Sequence, residues 1–147
     1  PDDVTVYAGG DAPLVAGRRS PPLSSRKGLS QRLLSAFVTP PDADVVEVAD
    51  GDTVGSFTVY ETPGHTPGHV AYVSEKLSTA LLGDLVREST GRLKPSPWVI
   101  SDDTGAVRES VRDLVERSPA FDVAAIGHGV PFQRGGSDRL GDLATGL

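Results

Sequence analysis

The sequence predicts a single layered α/β domain built around a mixed β-sheet. Three observations support this prediction. The chain has 147 residues, which corresponds to one domain and suffices to bury a hydrophobic core. Short β-rich runs alternate along the chain with segments of helical periodicity. The counts of 17 Gly and 12 Pro are typical of a folded chain with many loops rather than of a disordered one.

A strand and a helix, separated by a basic loop, are predicted first. Residues 4–8 (VTVYA) are β-rich and end at two glycines. Residues 16–28 contain four basic residues and two prolines, so they are expected to be a solvated connector or, alternatively, a mobile lid that contacts an anion. Ser30 is expected to cap a helix that runs to Phe37, because two prolines follow at residues 40–41.

Four β-rich runs follow, and they are expected to form two hairpins. The turn of the first is predicted at Asp50-Gly51, because Asp-Gly is typical of tight hairpin turns, and the turn of the second at Glu75-Lys76. The paired runs are residues 45–48 with 53–60, and residues 69–73 with 79–82.

The last third of the chain is expected to contain two helices and one strand. Residues 87–100 show no periodicity and are expected to be irregular. A helix is predicted from Ser101 or Asp102 to about Arg117, and Ser137 is expected to cap a second, short helix. Between the helices lies a buried strand, residues 123–126. The apolar positions of the two helices are Val107, Val111, Leu114, Val115, Leu140 and Leu143.

Charge and composition exclude several classes of protein. Lys and Arg total 14 against 20 Asp and Glu, and the net charge of −6 argues against a nucleic-acid partner. No apolar run approaches the roughly 18 residues of a membrane span, and no signal peptide is visible, so a cytoplasmic location without membrane contact is expected. The excess of Asp over Glu and of Arg over Lys indicates a GC-rich genome or, alternatively, a halophile with a salt-rich cytoplasm.

The absence of cysteine restricts any metal site to His, Asp and Glu ligands. Three strand ends carry such residues. In each, an apolar run ends in Gly and is followed directly by His65, Asp84 or His128. Because ligands of α/β sheets gather where strands end, we expect these three side chains to meet. Two imidazoles and one carboxylate form a suitable donor set for zinc, or for iron or manganese.

Each of these residues also has an ordinary structural explanation when taken alone. A single His in a Pro-Gly turn is usually a surface residue, and a single Asp after a strand is often a turn residue or a helix cap. The shared site is favoured because one geometry explains all three positions. His69 lies four residues after His65 but in a turn, so we expect it to orient a ligand by hydrogen bonding rather than to bind metal.

Three motifs resemble those of the metallo-β-lactamase superfamily, especially its glyoxalase II-like hydrolase branch. They are TPGHTPGH at residues 62–69, ALLGD at 80–84 and IGHG at 126–129. The resemblance implies an αββα sandwich with mixed sheets and a site for one or two metal ions at one edge. It also implies that His65 binds the first metal, that His128 binds the second, and that Asp84 lies between them.

The sequence departs from that family in one large respect. The upstream HxHxDH motif is absent, because no His precedes His65. The resemblance therefore implies that residues 1–147 form a single domain corresponding to the C-terminal portion of the family fold, which is then incomplete. Such a chain would expose apolar surface, so we expect it to form a homodimer, to swap elements with another copy, or to have lost a segment that this sequence omits.

The resemblance implies a metal-dependent hydrolase that acts on a small-molecule thioester or ester through a metal-activated water. His65, Asp84 and His128 would be catalytic through the bound zinc. Since the upstream ligands are missing, the isolated chain is expected to be inactive. Two alternatives stay open, namely a non-catalytic binding or assembly domain derived from the same fold, and a mononuclear iron oxygenase of that fold.

Overall fold

The computed structural model describes residues 4–18 and 43–147. The predicted helix over residues 30–37 and most of the loop over residues 16–28 lie outside these ranges. No helix in the described part is long and apolar enough to cross a bilayer.

The described residues form nine strands and three helices. The strands are β1 (Thr5–Ala8), β2 (Asp44–Glu47), β3 (Thr53–Val54), β4 (Phe57–Glu61), β5 (Val70–Ser74), β6 (Thr79–Gly83), β7 (Val86–Ser89), β8 (Arg92–Pro95) and β9 (Val123–Ile126). The helices are α1 (Ala12–Val15), α2 (Thr104–Arg117) and α3 (Gly136–Thr145).

A five-stranded mixed sheet forms the centre of the fold, with strand order β3-β4-β5-β6-β9. Its first four strands are antiparallel neighbours, whereas β6 and β9 are parallel. The hairpin predicted around Glu75-Lys76 is present as β5 and β6. The parallel pairing places the ends of β6 and β9 at the same edge, with Gly83 opposite Ile126. Residues that follow these two strands therefore become neighbours.

The hairpin predicted at Asp50-Gly51 is wrong. Strand β2 pairs in parallel with β1 in a separate two-stranded sheet, and the antiparallel partner of β3 is β4. The single run predicted over residues 53–60 is instead two strands, because the chain reverses at Gly55-Ser56. Gly55 has φ +61, a conformation that glycine adopts without steric cost. Asp50-Gly51 does mark a turn, with φ +84 at Gly51, but β2 pairs with the distant strand β1.

The prediction that residues 87–100 are irregular is also wrong, because β7 and β8 form an antiparallel hairpin there. Thr90 and Gly91 make the turn, with φ +55 and +75. Positive φ at both central positions is the requirement of a type I′ hairpin turn. The sequence does contain signals for this hairpin, namely the Thr90-Gly91 pair and the apolar residues Val86 and Leu93, which are both buried.

Both long helices form where expected, but their caps differ from the prediction. Helix α2 begins after Asp103, whose Oδ1 accepts hydrogen bonds from the N–H groups of Gly105 at 2.8 Å and Ala106 at 3.0 Å. Helix α3 is capped by Gly135 rather than Ser137. The Ser137 hydroxyl instead accepts the N–H of Phe121 at 2.7 Å, because that loop packs against the start of the helix.

The hydrophobic core joins the central sheet, the β7-β8 hairpin and the two long helices. Val107, Val111 and Leu114 of α2 are fully buried in it, whereas Val115 is 39% exposed and does not belong to the buried stripe. The other core residues are Tyr60, Ala71, Val73, Ala80, Leu82, Leu85, Val86, Leu93, Phe121, Ala124 and Leu140. This packing holds the strand ends of the sheet in fixed positions.

Arg117 fastens the end of α2 to the turn before β3. Its guanidinium donates hydrogen bonds to Asp50 and, at 2.7 Å, to Asp113, and it lies 5.5 Å from the centre of the Tyr60 ring. The hydrogen bond from Arg117 holds the pKa of the Asp50 carboxyl below its ordinary value of 3.8.

We predict that Asp50→Asn destabilises the fold only where Asp50 is ionised. The folded-state pKa is depressed, so the ionised carboxylate stabilises the fold above pH 3.8, and this stabilisation is lost as pH falls through the folded pKa. Because both side chains are partly exposed, the loss at neutral pH should not exceed about 1 kcal/mol. Urea denaturation at neutral pH and at a pH below the lowered folded-state pKa measures it. Glu116→Gln is the control, because it removes a carboxyl next to Arg117 on α2. An equal loss at both pH values would contradict the role of the ion pair.

Candidate metal centre

His65 lies in the turn that follows β4, and two contacts fix its orientation. Its Nδ1 atom lies 3.2 Å from the hydroxyl of Ser96, and its carbonyl accepts the N–H of Asp102 at 3.2 Å. The side chain is 18% exposed. Its Nε2 atom lies 3.5 Å from Asp84 Oδ2. The imidazole is therefore held at the end of β6 by the loop that follows β8.

Asp84 follows β6 and lies between two imidazoles. Oδ2 faces His65, and Oδ1 lies 3.3 Å from Nε2 of His128, a residue whose side chain is 67% exposed. Oδ1 is buried, yet it receives no hydrogen bond of good geometry within the described part of the chain. A buried carboxylate oxygen in this state is costly unless a cation satisfies it. The structure thus brings His65, Asp84 and His128 together, as the sequence predicts, and leaves one oxygen in need of positive charge.

His69 binds the backbone of Asp84. Its Nε2 atom accepts the Asp84 N–H at 3.2 Å, so the ring proton must lie on Nδ1, which is 2.8 Å from the hydroxyl of Thr62. Burial lowers the pKa of His69, and the nearby imidazole of His65 lowers it further. A neutral ring with both nitrogens engaged contacts the Asp84 backbone and has no nitrogen left for a metal. The orienting role of His69 stays a prediction.

Glycines before the site residues allow their close approach. A Cβ atom on Gly127 would lie 2.1 Å from Asp84 Oδ1, and a Cβ atom on Gly83 would lie 2.9 Å from Nε2 of His69. Gly83 also has φ +51. The Gly-His and Gly-Asp pairs that drew attention in the sequence are therefore required by crowding at the strand ends.

The donor types of this cluster suit a divalent transition metal, and the buried Asp84 Oδ1 supports a cation beside it. The two imidazoles face different oxygens of Asp84. Within residues 4–18 and 43–147, no group of three His, Cys, Asp or Glu side chains is arranged to hold one ion. This geometry favours a carboxylate between two metal positions over a single ion held by all three residues, and each position would need further ligands.

Sequence reasoning missed the side chains that hold the histidines. Ser96 had no signal, because it lies in a stretch expected to be irregular. Thr62 belongs to the first motif, but its bond to His69 depends on the closure of the turn. A second hydrogen bond, from Thr66 to Asp11, joins this turn to the end of β1. The partners of Ser96 and Thr66 lie far along the chain, so no local pattern indicated them.

Comparisons with known sequences find few relatives. No protein-family model matches the chain. The uncharacterized protein YobT of Bacillus subtilis (strain 168) is 30% identical over 98 residues, which cover 61% of this chain and 41% of that protein. The chain therefore spans about two fifths of this curated relative.

Solved structures provide clearer matches. TTHA1623 in a di-iron-bound form superposes on 97% of this chain and 62% of its own, with a TM-score of 0.62 and 24% identity. ST1585 from Sulfolobus tokodaii, an archaeal metallo-β-lactamase superfamily protein, covers 97% and 57% with a TM-score of 0.61 and 17% identity. The metallo-β-lactamase FIM-1 from Pseudomonas aeruginosa, in its mono-zinc form, covers 95% and 55% with a TM-score of 0.56 and 16% identity.

These likenesses show the fold. The chain has the mixed α/β arrangement of metallo-β-lactamase fold proteins, and its partial coverage of them fits an incomplete version of that fold. The fold prediction is confirmed.

We predict that Gly127→Ala destabilises the protein and separates Asp84 from His128. The new Cβ would overlap Asp84 Oδ1 at 2.1 Å, so the carboxylate must move, at an expected loss of about 1–3 kcal/mol. Urea denaturation measures this loss. Gly141→Ala is the matched control, because Gly141 lies in α3 and a Cβ there would meet no atom within 4 Å. Since Ala favours a helix more than Gly does, this variant should be more stable by about 0.5–1 kcal/mol. A Gly127→Ala protein as stable as the original would rule out the close packing.

Proposed function

We propose that this chain supplies part of the metal centre of a metal-dependent hydrolase that acts on a thioester or ester. The observation that carries the proposal is the position of the Asp84 carboxylate, with one oxygen towards His65 and the other towards His128. The metallo-β-lactamase fold of the chain supports it. The thioester or ester substrate rests on the three sequence motifs.

The residues that would hold metal are His65, Asp84 and His128. Zinc is our first choice for the metal, with one or two ions, and iron or manganese suits the same donors. Among the similar structures, one is in a di-iron-bound form and another in a mono-zinc form. When bound, such a metal supplies positive charge that polarises a carbonyl group and lowers the pKa of water.

The protein groups have separate tasks in this proposal. Ser96 restrains the ring of His65 through Nδ1, which leaves Nε2 directed towards Asp84. His69 holds the main chain of Asp84 in place by accepting its N–H at Nε2. Asp84 contributes negative charge between the two imidazoles. Because these partners are fixed by the fold, the donors would need little rearrangement to receive an ion.

A second candidate function is a non-catalytic binding or assembly domain. It is favoured by one observation, namely that the described residues provide each metal position with one imidazole and one carboxylate oxygen. Four ligands are usual for zinc. The mononuclear iron oxygenase gains no such support, since its three ligands must share one ion.

The remaining predictions about partners also belong to this proposal. A homodimer is consistent with the exposed apolar residues of the two-stranded parallel sheet, where Tyr7 is 43% and Val46 is 42% exposed. A small-molecule substrate and a cytoplasmic location stay predictions from the sequence.

We predict that Zn²⁺ binds Nε2 of His65 and of His128 but not His69. Nitrogen NMR of the histidine rings during a Zn²⁺ titration measures this directly. The His69 signals should stay in place, because both of its ring nitrogens already make hydrogen bonds. Asp84→Asn should weaken binding by at least about tenfold.

The matched control for this titration is Asp138→Asn, which changes a carboxyl on α3. If Zn²⁺ leaves all three histidines unchanged, the metal centre is wrong and the non-catalytic candidate is favoured. Binding that survives Asp84→Asn at full strength would remove Asp84 from the centre.

We also predict that the 147-residue chain hydrolyses thioesters and β-lactams no faster than the metal in buffer. The reason is the shortage of ligands at each metal position. Product release is followed with and without Zn²⁺, and His65→Ala is the comparison. Metal-dependent turnover that disappears in His65→Ala would overturn this expectation and would establish hydrolysis by this chain.

A further inference from the structure

The three most exposed large hydrophobic side chains in the described part of the chain lie in two loops that are anchored at the candidate metal centre. They are Trp98, Val130 and Val99, with exposures of 71%, 70% and 61%. We call this set the apolar rim. Single exposed hydrophobic residues are ordinary, whereas several of them in loops that flank one centre indicate a binding surface. Their position relative to His65 and His128 is therefore informative.

Trp98 and Val99 are the two central residues of a tight turn. The N–H of Ile100 donates to the carbonyl of Pro97 at 3.0 Å, which closes the turn. Both ends of this loop are tied to His65, through the Ser96 hydroxyl on one side and the Asp102 N–H on the other. The turn is thereby held against the residue that faces Asp84.

Val130 lies in a second reversal of the chain, two residues after His128. The N–H and carbonyl of Phe132 pair with the carbonyl and N–H of Ala124, at 3.0 and 2.8 Å, so the intervening loop must turn back on itself. The carbonyl of His128 also accepts the N–H of Glu88 at 3.2 Å. Both loops of the apolar rim are therefore anchored at histidines that share the Asp84 carboxylate.

The residues at the first turn are unusual for their position. Central turn positions are commonly filled by Gly, Pro, Asn, Asp or Ser, because these residues suit the backbone and the solvent. Trp98 and Val99 are instead large apolar residues that stay exposed to solvent. Departures from local rules of this kind are expected at functional positions.

We propose that the apolar rim binds the apolar acyl group of the substrate. This inference rests on the proposed function and names the substrate class as thioesters or esters of medium-length aliphatic acids. A substrate group is the occupant that fits best, because one loop is tied to His65 and the other begins at His128, so the rim adjoins the centre where the substrate would react. Because the loop that carries Trp98 and Val99 is tied to His65, an acyl chain bound there would lie next to the candidate centre, and an acetyl group offers the rim little apolar surface.

The single tryptophan of the chain makes a direct test feasible. The full chain, without added metal, is titrated with the neutral thioester S-hexanoyl-N-acetylcysteamine while Trp98 fluorescence is recorded. A blue shift is expected as Trp98 becomes covered. Each buried methylene strengthens binding by about fourfold, so the hexanoyl probe should bind at least about tenfold tighter than the acetyl probe.

Two variants keep the reporter and change the rim. Val99→Ser and Val130→Ser should each weaken hexanoyl binding by about threefold or more. Leu77→Ser is the matched control, since Leu77 is a 54% exposed residue of the β5-β6 turn, and it should leave binding unchanged. Folding of each variant is checked by urea denaturation.

Three results would overturn the proposal. The first is no shift of Trp98 fluorescence with the hexanoyl probe, and the second is equal affinity for the acetyl and hexanoyl probes. The third is a blue shift that appears without probe as the protein concentration rises, because a second copy of the chain would then cover the rim. The titration needs neither metal nor turnover. Binding of Zn²⁺ without binding of the hexanoyl probe would support the proposed metal centre and contradict the acyl site. Binding of the probe without binding of Zn²⁺ would support the acyl site and contradict the metal centre.

Discussion

The parallel pairing of β6 with β9 places two chain segments side by side that are more than 40 residues apart in sequence, and the candidate centre depends on it. The N–H of Gly127 donates to the carbonyl of Gly83 at 2.8 Å just beyond the last strand pairs. A side chain on Gly127 would occupy the space of the Asp84 carboxylate. A larger residue at this position would displace the carboxylate, which explains why glycine precedes His128.

The polar groups around Asp84 fall into two sets, one that contacts its backbone and one that contacts its carboxylate. Neutral His69 and Thr62 are satisfied by each other and by the Asp84 backbone, so they stabilise the strand end without charge. The carboxylate itself lies between His65 and His128, with Oδ1 buried and lacking a hydrogen bond in the described residues. This division separates the groups that hold the backbone from the groups that can take up a cation.

Turn chemistry explains which parts of the fold could be predicted. The Asp50-Gly51 and Thr90-Gly91 pairs both contain a glycine with positive φ, yet only the second closes a hairpin. Local sequence indicates that the chain turns, whereas the partner of β2 is β1, which lies far upstream. The start of α2 was also not settled locally, because Asp103 caps the helix rather than the predicted Ser101 or Asp102. Several polar residues can cap a helix locally, and packing selects one of them.

The sequence by itself determined the mixed α/β character of the protein, most of its strands, both long helices and the residues that converge at the strand ends. These features follow from apolar periodicity and from glycine positions, which are local properties of the chain. Only the tertiary structure decided that Ser96 contacts His65, that the imidazoles face different oxygens of Asp84, and that the loop carrying Trp98 is tied to His65. Such contacts join residues through the packing of separate elements, and no local pattern encodes their distances or directions.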